Sequence, residues 1–337
     1  MQKIIISDPT LRDGNHAVRH QLSREQIALY AKAADLAGVS IVEVGHGNGI
    51  GASSIQVGLA KETDEVLLRT ARENLKKSKL GVHCIPGFAT VEANIKPAIA
   101  AGVDVFRIAS HCTEADTTRN HIEFVRTQGK EVFGVLMMSH MAPVEILVEE
   151  ALKMESYGAE AVVIMDSAGA YFPKDVEERI TALCSALKIQ VGFHGHNNLG
   201  MAVYNSLVAA QCGATILDGC ARGFGAGAGN TQLEVLVAVL EREGFSTGID
   251  LYKILDASDI AEREVMKEIP TIKSTSIVSG LSGVFSGFMR HVDRVSKEYN
   301  VDPRDVFFKL GERKVVAGQE DVIVEVALDL AKKGGKK

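Results

Sequence analysis

Gln190-Val191-Gly192-Phe193-His194-Gly195-His196-Asn197-Asn198 is a short apolar run that ends in two histidines and two asparagines. Side chains on a strand alternate with period two, so His194 and His196 share one face. The run is apolar throughout, as expected of a parallel strand buried on both faces. Working outward, the same pattern recurs over residues 4–8, 41–45, 80–85, 103–109, 132–138, 161–166 and 215–218, which makes eight strand candidates with 190–194. Between them lie segments rich in Ala, Leu, Glu and Lys. Ser23-Arg24-Glu25-Gln26 opens the first as a capping box. Gly38, Gly102, Gly129, Gly158 and Gly213 stand near helix ends, where left-handed caps require glycine. Eight strands alternating with helices specify a (β/α)8 TIM barrel over residues 1–270, in preference to an open doubly wound sheet.

The polar residues that interrupt these runs gather at C-terminal strand ends. Asp13 and His16 follow the first strand, and Glu43 and His46 end the second. His83 lies in the third and Arg107 and Ser110 end the fourth. Ser139 and His140 follow the fifth, Asp166 and Ser167 end the sixth, and His194 and His196 end the seventh. Barrel active sites lie at that face. His-x-His offers two adjacent imidazole ligands and Asp13 a hard oxygen. Mixed nitrogen and oxygen ligation without thiolate suits Mn²⁺, Co²⁺, Mg²⁺ or Zn²⁺. The plainer alternative makes Asp13 a turn cap and the histidines ordinary strand-end polar residues.

The 337 residues are 46% hydrophobic and 24% charged, with no tryptophan, which fits a soluble protein with an aliphatic core. A net charge of -6 gives no reason to expect nucleic-acid or membrane binding. Five scattered cysteines without a C-x-x-C pair, and no signal pattern before Ile4, point to reduced thiols in a cytoplasm. Beyond about residue 270 the alternation stops. Residues 281–299, 303–311 and 319–333 read as helices of a small C-terminal helical domain (271–331), Asp302 as an N-cap, and 332–337 as a basic, frayed tail. The small residues from Ser279 to Gly287 suit either local packing on the barrel or contact with a partner or ligand.

Thr10-Leu11-Arg12-Asp13-Gly14, Val42-Glu43-Val44, Asp166-Ser167, His194 to Asn198 and the glycine-rich Gly223 to Asn230 resemble the metal-dependent lyase and synthase barrels. Asn15-His16-Ala17-Val18-Arg19-His20-Gln21, His111 to Asp116, Leu136 to Met141 and Gly318 to Asp321 are similar to the 4-hydroxy-2-oxovalerate (4-hydroxy-2-oxoacid) aldolases within them. The resemblance implies cleavage of a 4-hydroxy-2-oxoacid to pyruvate and a small aldehyde. It implies Mn²⁺, with Co²⁺ or Mg²⁺ as alternatives, on Asp13, His194 and His196. Arg12 would stabilise the enolate and His16 would move the 4-hydroxyl proton. Ser167 would contact substrate, and Glu43, His46 and Asn230 would support the site from behind. His20, His111 and His121 read as structural or surface histidines. The resemblance further implies an oligomer and an acylating aldehyde dehydrogenase partner docked on the C-terminal helices.

Two positions depart from the pattern. Phe285 stands where these aldolases carry a tyrosine that helps set stereochemistry at C4. His83 stands in a strand that is usually leucine-rich and lines the aldehyde pocket, so a more polar or anionic aldehyde is expected. Two related chemistries fit less well. Claisen-type synthases carry a Glu-Arg pair in the glycine-rich loop, where this chain has Gly227 among small residues, and the CoA lyases place a cysteine there, absent here from Gly223 to Asn230. A non-catalytic metal-binding subunit is disfavoured because Arg12, Asp13, His16, His194 and His196 occur together.

Overall fold

A computed structural model describes residues 2–316 and 318–334. Strands β1 (Ile5–Leu11), β2 (Ile41–Val44), β3 (Lys79–Cys84), β4 (Val105–His111), β5 (Glu131–Met137), β6 (Ala161–Asp166), β7 (Gln190–Gly195) and β8 (Ile216–Asp218) form a parallel barrel. They pair in chain order, and β8 closes on β1 through Ser7 and Asp218. This is the expected barrel. The lower interior is apolar, with Ile41, Val105, Phe133, Val163 and Ile216 packed together. A larger aliphatic layer lies between strands and helices, each full burial of a branched side chain contributing about 1.5–3 kcal/mol.

The local signals behave as the sequence suggests. The Ser23 hydroxyl accepts from the Gln26 amide, and the Gln26 side chain accepts from the Ser23 amide at 2.9 Å. All five cap glycines take positive φ. No helix among the described residues is long and apolar enough to cross a membrane.

Helices Ser274–Ser282, Met289–Tyr299, Pro303–Glu312 and Glu320–Gly334 follow. They surround a separate core that includes Val284, Phe288, Val292, Phe307 and Ile323. The continuous helix expected over 281–299 is a correction. Gly283 at φ +64° ends one helix, and the chain crosses Phe285 before Met289 starts the next. The periodicity runs through the break because Val284 and Phe288 are buried on both sides of it. The small residues serve local packing: a Cβ on Gly280 would meet Asn198 and Leu199, and one on Gly227 would meet Ser286. Asp302 caps as expected, accepting from the Arg304 amide at 2.9 Å. Lys332 and Lys333 belong to the last helix rather than to a frayed tail, and 335–337 lie outside the described residues.

The two parts are stitched together at the barrel mouth. The Ser286 amide donates to the Ser167 carbonyl at 3.0 Å, and His140 Nε2 meets the Gly283 carbonyl at 2.8 Å. Phe285, Ser286 and Arg290 thereby become wall residues of the cavity above the strands.

Candidate active site

β1 ends at Leu11, and the chain turns at once, the Arg12 and Asp13 amides both donating to the Pro9 carbonyl. That turn places both side chains on the floor of a cavity of about 1550 Å³. Arg12 is held on two sides. Its Nε pairs with Glu43, and its Nη1 donates to Asp13 Oδ1 at 2.9 Å and to the Gly47 carbonyl at 3.4 Å. Its Nη2 is buried and has no partner among the described residues. Asp13 Oδ2 accepts from Asn230 Nδ2 at 2.6 Å and from the Ala226 amide at 3.2 Å. A side chain on Gly225 would collide with both Asp13 and Asn230, so glycine lets the loop close here. Burial pushes the Asp13 carboxyl up, but the charge of Arg12, and then those of His196 and His16, hold it far below the usual range.

β7 carries His194, and His196 stands one residue past its end, with ring centroids 5.1 Å apart at 66°. His194 Nδ1 donates to Asp218 Oδ2 at 2.9 Å, which leaves its Nε2 as the outward atom. His194 Nε2 and His196 Nδ1 are buried without a partner among the described residues. Beneath them Arg107, fully buried, bridges Asp218 at 2.7 Å and Glu43 at 3.2 Å. Burial raises the Glu43 and Asp218 carboxyls, but Arg12 with Arg107 and Arg107 with His194, respectively, bring both below normal. Two buried guanidiniums thus face three buried carboxylates (Asp13, Glu43, Asp218), leaving one negative charge uncompensated. Two free imidazole nitrogens over such a floor fit a divalent cation. Among the described residues no three His, Cys, Asp or Glu side chains are drawn together as a formed cluster. Asp13 is occupied by Arg12 and Asn230, and a carboxylate has further lone pairs to share.

The walls hold most of the remaining candidates. His16, His83, Ser167 and Phe285 all line the cavity. Ser167 Oγ accepts from the Met138 amide at 3.0 Å. Burial, against the pull of Asp13, takes the His16 imidazole down to about 4. Burial and then Arg12 take His83 to about 3, so it is a neutral hydrogen-bonding group, not the cation that an anionic aldehyde would prefer. His46 lies outside the cavity lining and stacks on His20 at 3.6 Å. His20, expected as a structural or surface histidine, is buried and lines the cavity, edge-on to His16 at 5.1 Å. Asp218 belongs to no motif of the sequence; a carboxylate closing the apolar run Ile216-Leu217 is the signal that marks it, as the strand-end carboxylates Glu43 and Asp166 are marked.

A closed parallel barrel with a guanidinium, imidazoles and a cation-receptive floor at its C-terminal mouth defines a class, and residues 3–261 match the HMGL-like family model. Residues 270–332 match the DmpG-like communication domain. A 4-hydroxy-2-oxovalerate aldolase from Pectobacterium atrosepticum is 65% identical over 98% of this chain and 97% of its own. One from Spirochaeta aurantia is 62% identical over 99% and 98%. The carboxyl transferase domain from Rhizobium etli pyruvate carboxylase shares the fold at a TM-score of 0.82 and 16% identity, covering 99% of this chain and 61% of that one. The chain belongs to the 4-hydroxy-2-oxovalerate aldolase family of carbon–carbon lyases.

Proposed function

We propose that the chain cleaves 4-hydroxy-2-oxoacids, 4-hydroxy-2-oxovalerate among them, into pyruvate and an aldehyde, using a divalent cation held by Asp13, His194 and His196. One observation carries this reading: Arg12 Nη2, His194 Nε2 and His196 Nδ1 are all buried, unpartnered among the described residues, and on residues lining one cavity. The cation, Mn²⁺ by family habit with Co²⁺ or Mg²⁺ as alternatives, would stabilise negative charge developing on the keto oxygen.

The chain's own groups account for the rest. The Glu43 and Asp13 clamp fixes the Arg12 guanidinium, so its spare Nη2 is pre-aimed at the enolate oxygen and needs no reorganisation during reaction. The neutral His16 accepts the 4-hydroxyl proton. The C3–C4 electrons then pass into the enolate as the aldehyde carbonyl forms, and a proton returned to C3 completes pyruvate. His83, neutral in the wall, offers the aldehyde a hydrogen bond and favours a polar uncharged acceptor. Phe285 presents a ring without a hydroxyl, so discrimination at C4 rests on shape. A thiol-assisted CoA lyase is disfavoured: Cys220, beside the glycine-rich loop, is driven up by burial and accepts from Asn230 at 3.2 Å.

The communication-domain match supports docking of an acylating aldehyde dehydrogenase on the helical end, where Ile277, Leu281 and Phe308 are exposed on packed neighbouring helices. Five unpaired cysteines support a cytoplasmic setting. The decisive experiment is deuterium exchange into the pyruvate methyl group, followed by proton NMR with and without Mn²⁺. Exchange that requires metal and is lost in Arg12→Ala supports the enolate reading. No exchange with any divalent metal would sink it.

A further inference from the structure

Arg19 and His20 are consecutive non-glycine residues in left-handed backbone, at φ 59° and 60°. Such a conformation costs free energy and persists only where the surroundings demand it. Here it folds the His20 ring back beneath the segment that follows β2. His20 Nδ1 accepts from the Gly47 amide at 3.3 Å, and its ring lies so close to Gly58 that a Cβ there would stand 2.7 Å from it. His46 repeats the arrangement one residue along. Its Nδ1 accepts from the Asn48 amide at 3.1 Å, and its Nε2 donates to the Gly58 carbonyl at 3.0 Å. The two rings stack at 3.6 Å and 19°. The start and the end of residues 47–58 are therefore pinned by one pair of stacked imidazoles, each accepting from an amide of the first end and packing against the second at Gly58.

Gly47 connects this pair to the proposed chemistry. Its carbonyl accepts from Arg12 Nη1. Its Cα lies flat against the His16 ring, so closely that a Cβ would stand 2.6 Å from the imidazole. Movement of Gly47 therefore moves the support of both the proton acceptor and the enolate-binding guanidinium. The far end of the segment carries Gln56 and Val57 into the cavity wall.

We infer that His20 and His46 are positioning residues: a stacked latch that holds residues 47–58 closed and, through Gly47, fixes His16 and Arg12 for the cleavage step. This rests on the aldolase reading for its catalytic half, and the test separates the two. In His20→Leu, amide hydrogen exchange over 47–58 should rise. The kcat for 4-hydroxy-2-oxovalerate should fall by about 10- to 100-fold, as for a misplaced reacting group, with KM unchanged. His20→Asn keeps an acceptor for the Gly47 amide and tolerates left-handed backbone, so it should restore both readouts. Should His20→Leu fail to fold, His46→Leu opens the other half, and His46→Asn restores the Asn48 contact as an Asx turn. Unchanged exchange in the leucine variants overturns the latch. Raised exchange with normal kcat, or no recovery in the asparagine variants, overturns the positioning role. A wild-type chain that cleaves no 4-hydroxy-2-oxoacid defeats the aldolase reading and the catalytic half with it, while exchange still decides the latch.

Discussion

Asp218 is the residue on which the proposed cation site depends most. It accepts from Arg107 and from His194 Nδ1 while fully buried, so it fixes both the orientation of the His194 ring and the nitrogen left for a ligand. Asp218→Asn should weaken Mn²⁺ binding by about 10- to 100-fold in calorimetric titration. An unchanged affinity would show that His194 needs no such support or is no ligand. His83 yields a different kind of prediction. Its Nδ1 is buried and unpartnered among the described residues, so it awaits a polar group in the wall. His83→Leu should shift aldehyde preference, measured in the condensation direction with pyruvate, toward aliphatic acceptors. An unchanged aldehyde profile would count against a specificity role.

At the scale of elements, Gly283 does most to place the helical end against the barrel. It ends Ser274–Ser282 in left-handed backbone and hands its carbonyl to His140. Gly283→Ala forces an L-residue into that conformation and sets a Cβ 3.2 Å from the His140 ring. Stability should fall by about 1–2 kcal/mol in urea unfolding, and Phe285, two residues on, should shift in the cavity wall. No loss would mean that the break is set elsewhere. The same glycine marks where reading the sequence failed. All eight strands were legible because parallel strands are apolar on both faces and end in polar groups. The Arg12–Asp13 pair and His194-x-His196 were legible because they sit at those ends. The helix break was not: burial of Val284 and Phe288 keeps an apolar rhythm through a kink that only φ at Gly283 reveals. The His20–His46 stack was hidden for a related reason. Two histidines 26 positions apart in the chain meet only because of a left-handed turn at Arg19 and His20 that no periodicity encodes.

The whole molecule carries a pH signature that follows from keeping imidazoles neutral inside it. Burial is the first cause in each case, taking His16 to about 4, His83 to about 3 and His20 to about 2 from an ordinary 6.5. Below pH 6.5 the unfolded chain takes up protons that the folded chain refuses. Their contribution to stability is therefore fully present above 6.5 and is lost as the pH falls toward the folded values. Each such group adds a slope of up to about 1.4 kcal/mol per pH unit. Asp8 acts in the opposite direction. Burial raises it from 3.8 to about 6, despite hydrogen bonds from Thr10 and Tyr30, so the stability it lends at low pH is lost as the pH rises through that interval. His196, which burial also takes to about 4, and the lowered His46, His111, His140 and His291 act with His16, His83 and His20, so the imidazoles outnumber the raised carboxyls Asp8, Asp64 and Asp166 and give a net loss on acidification. The urea midpoint of the metal-free protein should fall steadily from about pH 7 to about pH 5, with a shallower slope in His83→Leu, which removes one refused proton. A midpoint that stays level or rises over that range would mean that these rings admit protons in the folded state, and the neutral His16 assumed for accepting the 4-hydroxyl proton would fall with it.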